Sequence, residues 1–158
     1  MNIELIKITQ ADVPVLNKIY EQACEYFAVV QNRVPPTPAD CLNKGDLPPG
    51  GALENFCYLK IVKNDEIIGW TAYYKGYPDG TSAYIAYIYL TERGKGYGGE
   101  TINQLINTLK REGFLRILCA VALNNPAAIK FWHKMGFNKI KLVDIHENYS
   151  GLELERKI

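Results

Sequence analysis

Seven consecutive residues, Arg93-Gly94-Lys95-Gly96-Tyr97-Gly98-Gly99, have the composition of an anion cradle. If a helix begins inside this run, its first N–H groups have no carbonyl partners and its dipole presents a positive end. Glycines let the main chain approach a phosphate closely, so the run reads as a pyrophosphate site with Arg93 and Lys95 adding charge beside it. A P-loop requires Ser or Thr after its Gly-Lys, but Gly96 follows Lys95. The dinucleotide pattern G-x-G-x-x-G matches formally at Gly94, Gly96 and Gly99. It should carry an acidic residue about 20 positions onward. The stretch Phe114-Leu115-Arg116-Ile117-Leu118-Cys119 offers no carboxylate there.

A second run has the marks of a helix start. Asn125 can cap it, Pro126 suits its first position, and Ala128, Phe131, Trp132 and Met135 recur as an apolar stripe up to Gly136. The elements that must hold these runs follow from periodicity. Residues Asn2 to Ile8 alternate as a strand, and Thr9 with Asp12 opens a helix whose apolar face is Leu16, Ile19, Tyr20, Ala23 and Phe27. The Pro- and Gly-rich stretch from Asn32 to Gly51 is a loop region, with one short helix started by Thr37-Pro38. Three antiparallel strands are expected next: Cys57 to Val62, Glu66 to Tyr74 after a tight turn at Lys63-Asn64-Asp65, and Ser82 to Leu90. Strict alternation in the last would put Ile85, Tyr87 and Tyr89 on one face and Tyr84, Ala86 and Ile88 on the other. Both faces are apolar or aromatic, so the strand should be central. Ile102, Leu105, Ile106 and Leu109 then mark a helix stopped by Gly113. A buried strand follows from Leu115 to Ala122, and after the Asn125 helix two strands, Lys139 to Asp144 and Leu152 to Lys157, close the chain.

The two runs together resemble the signatures of the GCN5-related N-acetyltransferase (GNAT) family. Arg93-x-x-Gly96-x-Gly98 is similar to the family's pyrophosphate signature, [QR]-x-x-G-x-[GA]. Asn125 to Phe137 is similar to its second motif, N-x-x-A-x-x-F-Y-x-x-x-G-F, and the order of elements agrees over the whole chain. The resemblance implies one α/β (α+β) domain over residues 1–158, with a mixed, mostly antiparallel sheet flanked by helices. It also implies a splayed strand pair that holds acetyl-CoA as co-substrate. Carried onto this chain, Ile88, Tyr89 and Leu90 would bond the pantetheine arm, and Arg93 through Gly99 would hold the pyrophosphate. Asn125, Ala128 and Phe131 would line the arm's channel, and Lys134 or Lys130 would reach the adenosine phosphates. The chain departs from the pattern at Trp132, where the family usually has a tyrosine acting as general acid. Tyr84, Tyr87 and His133 are the substitutes to consider, and Glu25 and Glu54 are the candidate bases by topology. The acceptor wall would draw on Tyr20, Tyr26, Phe27, Tyr73, Tyr74 and Tyr77. An aromatic wall suits an apolar or cationic amine.

Composition bounds what remains. A chain of 158 residues with 47% apolar and 22% charged residues is an ordinary single globular domain. A net charge of +1 gives no reason to invoke nucleic acid or an anionic membrane. No apolar run reaches the roughly 18 residues of a membrane helix. The first residues alternate rather than forming a signal block, so the expected location is cytoplasmic. The 4 cysteines include no C-x-x-C pair, and His133 and His146 stand at no zinc-site spacing from them, so no metal is expected. The expected partner is an amine on a small molecule, an amino acid or a peptide. Homodimers are common in the family. A non-catalytic acyl-CoA-binding module is the alternative, kept open by Trp132.

Overall fold

The computed structural model describes residues 2–31, 33–146 and 149–158. Seven strands form one sheet: β1 (Glu4–Lys7), β2 (Phe56–Lys63), β3 (Glu66–Lys75), β4 (Ser82–Leu90), β5 (Arg116–Ala122), β6 (Lys139–His146) and β7 (Tyr149–Lys157). Their order is β1-β2-β3-β4-β5-β7-β6, and every neighbouring pair is antiparallel except β4 with β5. Four helices flank it: α1 (Val13–Gln31), α2 (Pro38–Lys44), α3 (Tyr97–Arg111) and α4 (Pro126–Lys134). The fold is therefore the mixed, mostly antiparallel open sheet that the sequence led us to expect.

Each face of the sheet has its own core. On one, Leu16, Ile19, Ala23 and Phe27 of α1 and Cys41 of α2 pack against Tyr58, Trp70, Ala72 and Tyr87. On the other, the α3 stripe Ile102, Leu105, Ile106 and Leu109 packs with Trp132 and Phe137 against Tyr73, Ala83, Ile85, Ile117, Cys119 and Val121. Fully burying one such aliphatic side chain is worth about 1.5–3 kcal/mol, so the α3 stripe alone holds that helix firmly on the sheet. Gly113, at φ +90°, ends α3, and Gly136, at φ +86°, lies just beyond α4. The β2–β3 hairpin turns at Asn64 and Asp65, both with positive φ, which is the two-residue geometry that matches strand twist.

One expectation needs correction. Strict alternation along β4 fails, because Ala72 pairs with Tyr87 while the next residue, Tyr73, pairs with Ile85. Ala86 is thus the extra residue of a β-bulge, which reverses the alternation beyond it. Ile85 faces the α3 core, whereas Tyr87 and Tyr89 belong to the α1 side.

The parallel pairing of β4 with β5 is short. It runs from Ser82↔Arg116 to Ile85↔Cys119 and stops, although β4 continues to Leu90 and β5 to Ala122. The two strands part at the bulge and leave a fork. Arg116 ties the closed end: Nε donates to Ser82 Oγ at 2.6 Å, one terminal nitrogen bonds Asp79 at 2.6 Å, and the other bonds Glu155.

Candidate active site

The fork opens into a cavity of about 390 Å³ that extends from the two parted strands to the first turn of α3. Gly96, at φ +85°, is the N-cap of α3, and Gly94, at φ +74°, precedes it in the same left-handed region. Glu100 N–H is the first to reach a carbonyl of this turn, that of Gly96, at 3.1 Å. The N–H groups before it have no carbonyl within the helix to bond, and their residues line the cavity. A Cβ on Gly98 would lie 3.3 Å from Phe131 and 3.6 Å from Leu90, so glycine keeps the passage between α3 and α4 open.

The walls come from four elements. β4 contributes Ile85 through Leu90, β5 contributes Cys119, Ala120 and Val121, α4 contributes Ala127, Ala128, Phe131 and Trp132, and α1 contributes Tyr26 and Phe27. Asn125 caps α4 through Oδ1, which accepts from Ala128 N at 3.3 Å, and its Nδ2 donates to Tyr26 Oη at 3.0 Å. Arg93 lies over the Tyr26 ring, 3.9 Å from its centroid. Tyr26 therefore links the glycine turn to the start of α4.

A second cavity of about 370 Å³ lies on the α1 side of the sheet. It is walled by Tyr74, Tyr77, Tyr84 and Tyr87, with Arg33, Asp46, Leu47, Pro48 and Pro49 at its loop side. Ile85, Ala86, Tyr87 and Ala120 line both cavities, so the two meet at the bulge where the fork begins. The Tyr87 hydroxyl is buried and has no hydrogen-bond partner; among the described residues it is the one such side-chain atom. The Tyr84 hydroxyl donates to Glu153 Oε2 at 3.2 Å. Burial, and next the Glu153 charge, hold the Tyr84 phenol well above the usual tyrosine range.

The candidate cofactor residues Ile88, Tyr89, Leu90, Arg93 to Gly99, Asn125, Ala128 and Phe131 all line the first cavity. Lys134 does not; it borders a polar depression with Asn103, Lys139 and Arg156. Of the candidate acceptor residues, Tyr74 and Tyr77 line the second cavity, while Tyr26 and Phe27 line the first. Tyr20 donates to the Pro35 carbonyl at 2.7 Å and pins the chain after α1. Tyr73 turns into the α3 core, because neighbours on a strand point to opposite faces. Tyr87 stands at the junction and Tyr84 lines the second cavity alone, whereas His133, Glu25 and Glu54 are exposed and line neither cavity. Trp132 is buried edge-on between Phe131 and Phe137.

Sequence reasoning missed Glu153 and the bulge at Ala86. Nothing in the sequence near Glu153 marks it; only the order β4-β5-β7 brings it beside Tyr84. All 4 cysteines are free, and burial pushes the Cys119 thiol well above its usual range although it lines the first cavity. Such a thiol stays protonated and is a poor nucleophile. Among the described residues no group of three or more His, Cys, Asp or Glu could hold a metal, and no helix is long and apolar enough to cross a membrane.

Comparison with known proteins gives a consistent picture. The family model described as "Acetyltransferase (GNAT) family" matches residues 16–137. An L-methionine sulfoximine/L-methionine sulfone acetyltransferase of Pseudomonas paraeruginosa is 27% identical over 135 residues, covering 80% of this chain and 75% of that protein. The crystal structure of an acetyltransferase from Thermus thermophilus superposes with a TM-score of 0.79 at 20% identity, over 100% of this chain and 98% of that one. An aminoglycoside acetyltransferase crystallised with coenzyme A and kanamycin gives 0.74 at 20% identity, over 99% and 95%.

Proposed function

Since the chain belongs to the GNAT acetyltransferase family and is an acetyl-CoA-dependent enzyme, we propose that it acetylates the primary amine of a small molecule, an amino acid or a peptide by direct attack on the thioester. Acetyl-CoA supplies the activated acyl group. The observation that carries the reading is the meeting of two cavities at the β4–β5 fork, one running to the N-terminus of α3 and the other walled by tyrosines.

The residues present fit the cofactor. Main-chain N–H groups from Lys95 to Gly99 suit a diphosphate, and the glycine at 98 leaves the width an arm requires. Beyond the bulge the edge of β4 that faces β5 is unpaired, while β3 holds the other, and this one edge suits a pantetheine amide as a strand would. Tyr87 lines the junction and its buried hydroxyl has no hydrogen-bond partner, which makes it the candidate donor to thioester oxygen or departing sulfur. That assigns to β4 the role for which Trp132 has no acidic proton. The protonated Cys119 thiol supports direct attack over a covalent acyl-enzyme. The acceptor class rests on the size and aromatic lining of the second cavity, and on the small amines named for the related proteins.

The test is free-thiol release from acetyl-CoA with L-methionine sulfoximine, kanamycin, simple alkylamines and short peptides as acceptors. Acceptor-stimulated release with at least one small primary amine is expected. Acetyl-CoA binding with no stimulation on a broad panel would instead favour a module that binds the cofactor without turnover.

A further inference from the structure

Among the described residues two half-buried carboxylates, Glu100 and Glu153, form no ion pair, and Glu100 instead accepts from Gln104 on its own helix. Asp12 is paired with Lys60, Asp46 with Arg33, and Glu155 with Arg116 and Lys139. Among the described residues no cation forms an ion pair with Glu153, and its hydrogen bond comes from the Tyr84 hydroxyl. It stands on β7 between Ala120 of β5 and the exposed Lys141 of β6, and it lines neither cavity itself, whereas Ala120 lines both. A carboxylate withdrawn from water without a cation is costly unless a ligand brings one.

Resting on the acetyltransferase reading above, we infer that Tyr84, backed by Glu153, forms the amine-receiving end of the acceptor cavity, and that the acceptor is an amine that is cationic in solution. A tyrosine that donates to a carboxylate keeps its oxygen lone pairs for another donor. Tyr84 Oη therefore accepts from a substrate N–H, and the Glu153 charge strengthens that bond from behind. Tyr77 meets the Tyr84 ring edge-on at 5.6 Å, and Tyr74 stands in the same wall, so ring faces complete an environment suited to a cation. The same arrangement acts in the reaction. The ammonium first gives one proton to water. The neutral nitrogen then forms the C–N bond, the C–S bond breaks, and coenzyme A leaves as thiolate. The proton shed by the positive nitrogen passes to that thiolate or to water, and the negative charge one phenol away favours the positive nitrogen of the transition state. Tyr84 is the catalytic residue of this pair because it touches the amine. Glu153 is a positioning residue that acts through it.

The test uses the full chain saturated with coenzyme A. Butylammonium chloride is the probe and n-butanol its uncharged isostere, both titrated by NMR, with acetyl-CoA affinity measured in parallel. Wild type should bind butylammonium better than n-butanol. Glu153→Gln should weaken the cation about tenfold or more and leave the alcohol unchanged, the size expected for losing a charge-assisted contact. Glu153→Asp should recover part of the loss, which a merely structural carboxylate would not do for the cation alone. Tyr84→Phe keeps the packing, provides the same comparison should Glu153→Gln fold poorly, and should lower kcat more than it raises KM for any acceptor found. Equal cation affinity in wild type and Glu153→Gln, or no preference for the cation while acetyl-CoA still binds, overturns the amine site alone. Failure of wild type to bind acetyl-CoA overturns the acetyltransferase reading beneath it.

Discussion

The two cavities that meet at the β4–β5 fork are built on different principles. The cofactor side takes its anion-facing end from main chain and small residues, namely glycines at 94, 96 and 98, the first turn of α3 and the parted edges of two strands, with Tyr26, Phe27, Phe131 and Trp132 as further walls. The acceptor side is made of large side chains from separate segments: Tyr74 of β3, Tyr77 of the following loop, Tyr84 and Tyr87 of β4, and Arg33 and Asp46 near α2. A main-chain site depends on local geometry and tolerates little change in residue type. A side-chain site depends on tertiary pairing and can be re-lined without disturbing the fold. On the proposed function, one half would fix the cofactor and the other would set which amine is accepted.

The sharpest way to break this division is Gly98→Val. A branched side chain there meets Phe131 and Leu90 and fills the passage, so the Kd for acetyl-CoA should rise at least about 100-fold, or about 2.7 kcal/mol. Calorimetry reads the effect, and an unchanged melting temperature would separate it from misfolding. Tyr87→Phe probes the point where the halves join. It removes a hydroxyl without a protein partner, so kcat should fall by about 10²-fold. Stability should hold or rise, because no hydrogen bond within the protein is lost; stopped-time thiol assays and urea melts read the two.

How much of this was legible in the sequence follows the same division. The glycine run and the Asn125 helix could be placed because their functional groups belong to local helix starts, which capping residues, proline and glycine mark directly. The acceptor wall could not. Tyr73 and Tyr74 look equivalent as sequence, yet strand alternation sends them to opposite faces. The bulge at Ala86 has no sequence mark, and it decides which face Tyr87 occupies. Tyr26 is drawn to the cofactor side by Asn125 and Arg93, partners from distant parts of the chain. Glu153 becomes visible only once β7 is known to lie beside β5.

Smaller effects sharpen the contrast. Arg93→Ala removes an exposed charge and its stacking on Tyr26, so acetyl-CoA affinity should fall about fivefold at low salt and less at high salt. Titrations at two ionic strengths read this. Asp65 lines neither cavity, and Asp65→Gly relieves a positive φ, so it should add about 0.5 kcal/mol to stability and alter neither ligand's affinity. A urea melt beside the binding assays serves as the control for the set.

The account stands on coenzyme A entering the fork with its diphosphate against the first turn of α3. Titrating the ¹⁵N-labelled chain with coenzyme A and following its amide resonances tests this directly. The largest shifts should fall on Lys95 to Gly99 and on Ile88 to Leu90, with little change across β1 and β2. Shifts confined to other elements, or none at millimolar ligand on folded protein, would contradict it.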